Sequence, residues 1–176
     1  KPDNTTYKTV TWTSSNTSVA TVDTNGKVTA VALGNATITA TCGTVSATCA
    51  VTVNPVPAES VTLNKTSLEI LIGGTEILIA TVKPDNTTYK TVTWTSSNTS
   101  VATVDNAGKV TTVAVGNATI TATCGTVSAT CAVTVKPIPA ESVTLSKTSV
   151  TLKAGEAETL TATVKPDNTT YKTVTW

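Results

Sequence analysis

Ala118-Thr119-Ile120-Thr121-Ala122-Thr123-Cys124 alternates an apolar residue with a threonine along its whole length. On a β-strand successive side chains point to opposite faces. Ala118, Ile120, Ala122 and Cys124 therefore share one side, and the threonines share the other. The segment predicts a strand whose apolar row faces a core and whose threonines face water. Beyond Gly125-Thr126 the alternation resumes, with Ala129, Cys131, Val133 and Val135 on one face. Together, 117–124 and 128–135 read as a hairpin.

The same reading extends toward the N-terminus. Val101–Val104 and Lys109–Val113 flank Asp105-Asn106-Ala107-Gly108, a hairpin turn ending in glycine. Lys90–Thr95 carries Val92 and Trp94 on one face, and Pro84-Asp85-Asn86 is turn chemistry. Thr75–Val82 reads as one continuous strand in which Ile77 and Ile79 alternate with Leu78 and Ala80. Gly73-Gly74 is a turn, and Ser60–Leu63 with Thr66–Ile72 is a first strand with a break. Seven or so short strands with frequent turns imply an all-β sandwich.

Composition agrees. Threonine and valine dominate; both are β-branched and favour a pleated surface. There is no His, Met or Phe, so the commonest general base and metal ligand is missing. With 13% charged residues and a net charge of +1, neither a nucleic-acid surface nor a polybasic membrane patch is expected. No run approaches the roughly 18 apolar residues of a membrane-spanning helix. Lys1-Pro2-Asp3-Asn4 has neither the basic nor the apolar region of a signal peptide.

A repeat sets the architecture. Lys-Pro-Asp-Asn-Thr-Thr-Tyr-Lys-Thr-Val-Thr-Trp occurs at 1–12, 83–94 and 165–176, a period of 82 residues, and residues 1–82 differ from 83–164 at 16 positions. That period exceeds solenoid repeats and fits a whole small domain. Asn54-Pro55-Val56-Pro57 and Lys136-Pro137-Ile138-Pro139 are stiff linkers. They divide the chain into the C-terminal part of one repeat (1–54), a complete repeat (57–136) and the N-terminal part of another (139–176).

These segments, in this order, resemble the bacterial immunoglobulin-like domain, group 2. The resemblance lies in Ser60-Val61-Thr62-Leu63-Asn64-Lys65-Thr66-Ser67, Val92-Thr93-Trp94-Thr95-Ser96-Ser97-Asn98 and Val101-Ala102-Thr103-Val104-Asp105. It continues through Gly108-Lys109-Val110-Thr111, Gly116–Ala122 and Ala129–Val135. It covers the complete repeat end to end and matches both partial ones. It implies immunoglobulin-like sandwiches in tandem, from an extracellular bacterial surface protein in which such domains act mainly as spacers.

Six residue sets merit weighing as sites. Cys42 with Cys49, and Cys124 with Cys131, bracket hairpin turns and point inward. If the members of a pair sit opposite each other, a disulfide is geometrically feasible. It would close a loop of about eight residues and stabilise by ~2–3 kcal/mol. The extracellular setting favours this over two reduced, buried thiols. Two cysteines without histidine do not make a zinc site. Trp12, Trp94 and Trp176 recur once per repeat and are expected in the sandwich core, the alternative being a sugar-stacking platform. Tyr7, Tyr89 and Tyr171, near the preceding turn, are the better candidates for surface contact.

The carboxylates Glu59, Glu69, Glu76, Asp85 and Asp105 are scattered. Asp85 and Asp105 are expected to serve turns, and a calcium site would need them and Asn86 and Asn106 to converge. Lys65 and Asn117 are weak candidates for an isopeptide crosslink. Asn4, Asn16, Asn35, Asn64, Asn86, Asn98, Asn117 and Asn168 stand in glycosylation-type sequons. No catalytic residue, metal or cofactor is assigned.

The leading expectation is a structural repeat, a rigid spacer or shaft at the bacterial cell surface. Its partners are neighbouring repeats and other copies in a fibre. The alternative is an adhesin module that takes a glycan or host protein through exposed loops. The chain starts and stops inside repeats. This reads as a window on a longer array, with completion of 1–54 by 139–176 of another copy as the competing reading.

Overall fold

The computed structural model describes residues 9–176 and divides the chain into two units, Lys1–Pro57 and Ala58–Trp176. Tyr7 and Asn4 lie outside the described residues. Every regular element among those described is a strand.

The first unit contains β1 (Thr11–Ser14), β2 (Ala20–Val22), β3 (Val28–Ala30), β4 (Gly34–Cys42) and β5 (Val45–Val53). They form a β1-β4-β5 sheet and a β2-β3 hairpin.

The second unit opens with β6 (Ser60–Leu63), β7 (Ser67–Leu71), β8 (Thr75–Ile77) and β9 (Ala80–Lys83). Next come β10 (Thr93–Ser96), β11 (Ala102–Val104), β12 (Lys109–Thr112), β13 (Gly116–Cys124) and β14 (Val127–Lys136). Two further strands follow, β15 (Ser142–Leu145) and β16 (Ala162–Lys165). Residues 58–136 form a complete immunoglobulin-like sandwich. One sheet has the order β10-β13-β14-β7, with β7 parallel to β14. Opposite lie β11-β12-β8 and the β6-β9 pair.

The expected single strand over 75–82 is instead two, split at Leu78-Ile79. The Leu78 N–H donates to Gly108 O at 2.9 Å, holding this point to the β12 side. One residue on, the Ile79 N–H donates to the Asn64 side-chain oxygen at 2.8 Å, and the Asn64 N–H donates back to Ile79 O at 3.0 Å. The chain thereby changes partner from β12 to β6. The inward alternation survives the break: Leu78 is buried, while Ile77 and Ile79 are exposed.

Two apolar clusters fill the sandwich. Leu68, Leu78, Val110, Ile120, Cys131 and Val133 belong to the larger. Ala58, Val61, Ala122 and Cys124 form the smaller. Leu63 and Trp94 pack against both. The apolar row read from 118–124 is buried at all four positions, as are Cys131, Val133 and Val135 on the partner strand. The threonines between them leave the outer face polar, as period two requires.

Candidate functional site: hairpin thiols, tryptophans and two uncovered faces

The hairpin turn is Gly125-Thr126, with Gly125 at φ +60, and it pairs Cys124 with Val127. A glycine first in a two-residue turn meets the positive-φ requirement there. From this register, Cys131 falls opposite Ile120, four pairs along the ladder from Cys124. At about 3.3 Å per residue the two Cα atoms stand well beyond disulfide reach. The disulfide expected from their spacing is thus corrected: Cys124 and Cys131 are thiols on one face, not partners. The first unit has the same register, with Cys42 opposite Val45 and Cys49 opposite Ile38, and no disulfide there either. A seven-residue spacing across a two-residue turn places the cysteines on the same face but out of reach.

Each thiol in the complete repeat has a structural role. Cys124 Sγ donates to Tyr89 O at 3.1 Å, tying the last hairpin to the turn before β10. Cys131 sits in the larger cluster, where burial pushes its thiol above the ordinary range, with the Lys65 ammonium opposing weakly. A thiol so held yields little thiolate, so it is a poor nucleophile.

Trp94 is half-buried between the clusters. Its indole lies over Gly108, where an added Cβ would come within 2.9 Å of Trp94 Cζ2. Its outer edge lines an open groove with Thr95, Ser96, Thr99 and Thr103. Trp12 lies over Gly26 in the same way, beside an equivalent groove. Trp176, the last residue of the sequence and expected in the core, is 78% exposed. Among the described residues no sheet includes its segment. Tyr89 and Tyr171 are exposed.

The carboxylates do not converge. Asp105 accepts from the Ala107 and Lys109 N–H groups at 2.9 Å each and builds its own turn. Asp85 pairs with Lys83 at 2.7 Å, and Lys65 pairs with Glu76 at 3.0 Å. Asn117 lies on the exposed side of β13, so Lys65 and Asn117 do not form the buried triad that a crosslink needs. No group of three or more His, Cys, Asp or Glu gathers among the described residues. No helix there is long and apolar enough to cross a membrane.

Sequence reasoning missed two structural residues, Asn64 and Thr112. The Thr112 hydroxyl donates toward Leu71 O and Gly74 O, both at 3.0 Å, and the residue is buried. A threonine at this point breaks no pattern in a threonine-rich chain, so composition conceals it.

The partial repeats also present open apolar surface. In the first unit a groove of about 320 Å³ is lined by Val10, Ala40, Cys42, Val45 and Ala47, with Thr41 and Ser46. Val143, Leu145, Val150 and Leu152 are exposed on the segment carrying β15 and β16.

Among known proteins, an uncharacterized protein of Clostridium acetobutylicum is 42% identical over 124 residues, which is 69% of this chain and 13% of that protein. The "Ig-like virion protein" of Serratia phage KSP90 is 34% identical over 126 residues, 69% of this chain and 49% of that one. The chain thus spans half or less of either relative. The S-layer protein SbsC is similar to it in structure at 30% identity and a TM-score of 0.47, over 78% of this chain and 21% of that one. The model of the bacterial Ig-like domain (group 2) matches residues 1–53 and 57–135. The chain, a tandem run of such sandwiches, belongs to the bacterial Ig-like domain (group 2) family.

Proposed function

We propose that this chain is a structural segment of an extracellular bacterial surface protein or fibre, a stiff spacer built of tandem repeats. The observation that carries the reading is the complete repeat itself. Its polar side chains go into turns, ladders and surface ion pairs, while its apolar ones go into two clusters. The complete repeat closes its core with its own strands, and Pro-rich connectors flank it. Likeness to a phage virion protein supports a place in an external assembly. Neighbouring repeats are its partners in this reading, and it performs no catalysis.

Electron microscopy of the native parent protein tests this. Thin, evenly beaded rods or filaments whose length grows with repeat number are expected. Compact particles of unchanged length on adding repeats would overturn the spacer. Binding of a glycan or matrix protein that is lost on Trp94→Ala would turn the reading to adhesion through the groove beside that residue.

A further inference from the structure

Pro-Asp-Asn-Thr-Thr-Tyr lies inside the segment that recurs every 82 residues, and its threonine pair falls at 5–6, 87–88 and 169–170. The linker residue held between two prolines recurs at the same period, as Val56 and Ile138. In the described copies the first threonine is buried, Thr87 at 3% and Thr169 at 2% exposure. Each shapes its own turn. Its N–H donates to the carbonyl oxygen of Pro84 or Pro166 at 3.0 Å, and its hydroxyl oxygen accepts the N–H of Tyr89 or Tyr171 at 3.2 Å.

In the last copy both threonines also reach the linker. Thr169 Oγ1 donates to Ile138 O at 2.9 Å, and Thr170 Oγ1 donates to the same oxygen at 2.8 Å. The Thr170 N–H donates there as well, at 3.0 Å. Three donors, 31 and 32 residues downstream, thus converge on one linker carbonyl.

We propose that Thr169 and Thr170 clip the linker to the repeat that follows it, so that Pro137 alone is the joint between consecutive repeats and the two meet at one set angle.

The holds on either side define the length of the joint. Upstream, Lys136 still belongs to the complete repeat. It faces Leu71 in the β14–β7 ladder, its carbonyl accepts the Ile72 N–H at 2.9 Å, and its ammonium pairs with Glu69. Downstream, the ladder of the following repeat takes hold at Glu141, whose N–H donates to Lys165 O at 2.8 Å. Without the clip, residues 137–140 lie between the two holds. With it, the downstream hold moves up to Ile138, and only Pro137 is left.

The torsions that remain are narrow. The pyrrolidine ring fixes φ of Pro137. Lys136 and Ile138 each precede a proline, which confines both to extended backbone. An extended Pro-rich linker has no internal partner for its carbonyls, so hydroxyls from a neighbouring turn can hold it without displacing another protein bond. Proline by itself makes a linker semi-rigid, and joined domains move relative to one another by default. The clip turns a stiff linker into a set joint.

The inference deepens the spacer reading and rests on it for its purpose, since a set joint is what makes a run of repeats a rod. The two can fail separately: microscopy reads how length grows with repeat number, whereas the joint is read within one chain.

Residual dipolar couplings of the 176-residue chain test the clip. In wild type, one alignment tensor is expected to fit the amides of 58–136 and of 141–165 together. Thr169→Val with Thr170→Val removes both hydroxyls at nearly constant volume. The couplings of 141–165 should then shrink about twofold or more relative to those of 58–136, as two bodies moving independently require. Thr170→Val leaves the bond between Thr169 and Tyr171 in place and should shrink them less, in the same sense. Thr169→Ser with Thr170→Ser keeps the hydroxyls and should restore the wild-type values. Urea unfolding of the complete repeat should be the same in every variant, which separates a loosened joint from an unfolded chain. Separate tensors in wild type, an unchanged tensor in either valine variant, or serine couplings as small as the valine ones would each overturn the clip.

Discussion

Residues 34–53 and 116–135 are one sequence in two surroundings. Both form the same nine-pair hairpin, from Gly34↔Val53 to Cys42↔Val45 in one and Gly116↔Val135 to Cys124↔Val127 in the other. Yet Cys131 is fully buried and Cys49 is exposed, and Val127 is half-buried where Val45 is 68% exposed. Strand, register and turn are therefore local properties of the alternation and of Gly43 or Gly125. Burial is not local. For 116–135 it comes from the strands β6 to β9 laid over the hairpin. The difference separates what a hairpin encodes about itself from what its neighbours contribute.

Substitutions in matched pairs can break or sharpen that contrast. The largest effect is expected at Leu78, buried beneath the complete repeat's second sheet, against its half-buried counterpart Leu160. Leu78→Ala should lower stability by about 2–5 kcal/mol, read by urea unfolding, and Leu160→Ala by well under half of that. Equal losses would mean that position 160 is already covered in solution.

Next come the thiols. Cys131→Ser places a hydroxyl in an apolar cluster and should cost about 1–3 kcal/mol. Cys49→Ser should stay within about 0.5 kcal/mol, measured by thermal melting.

A third pair should show no contrast. Asp23 and Asp105 each accept two backbone N–H groups of their own turns, at 2.8 and 2.9 Å and at 2.9 and 2.9 Å. Asp23→Ala and Asp105→Ala should each lose about 1 kcal/mol, seen as faster amide exchange at Lys27 and Lys109. Unequal losses would show that cover reaches even the turns.

The smallest effect is electrostatic. A hydrogen bond from Lys65, then one from the Ile77 N–H, then the Lys65 charge hold the Glu76 carboxyl below its ordinary value. A carboxyl lowered by folding contributes stability above its unfolded value and loses that contribution as pH falls through the folded one. The pair is exposed, so little energy is involved. Lys65→Met should raise the Glu76 titration midpoint, followed by side-chain NMR, with no measurable change in melting at neutral pH.

Much of the fold was legible in the sequence because period two is nearly unbroken where strands are. Ala118, Ile120, Ala122 and Cys124 could be placed inward from their spacing alone. What was not legible depended on count rather than parity. The disulfide expectation had both cysteines on the right face, but a face repeats every second residue, and only the turn length says which residue stands opposite. The expected strand over 75–82 missed the break at Leu78-Ile79, because Asn64 intervenes from a distant part of the chain. Trp176 shows the same lesson as Cys49: a pattern can specify an inward side chain without supplying what lies over it.

The parallel pairing of β7 with β14 has a mechanical consequence. The second and last strands of the complete repeat lie side by side, with five residue pairs between Ser67–Leu71 and Ala132–Lys136. Tension along the chain enters through β6, whose pairing with β9 is loaded first, and leaves after β14; once β6 yields, it draws β7 and β14 past each other lengthwise. All the hydrogen bonds between them then carry the load together rather than opening one after another. Such a repeat resists stretching most where β7 meets β14, and that ladder should part in one abrupt step.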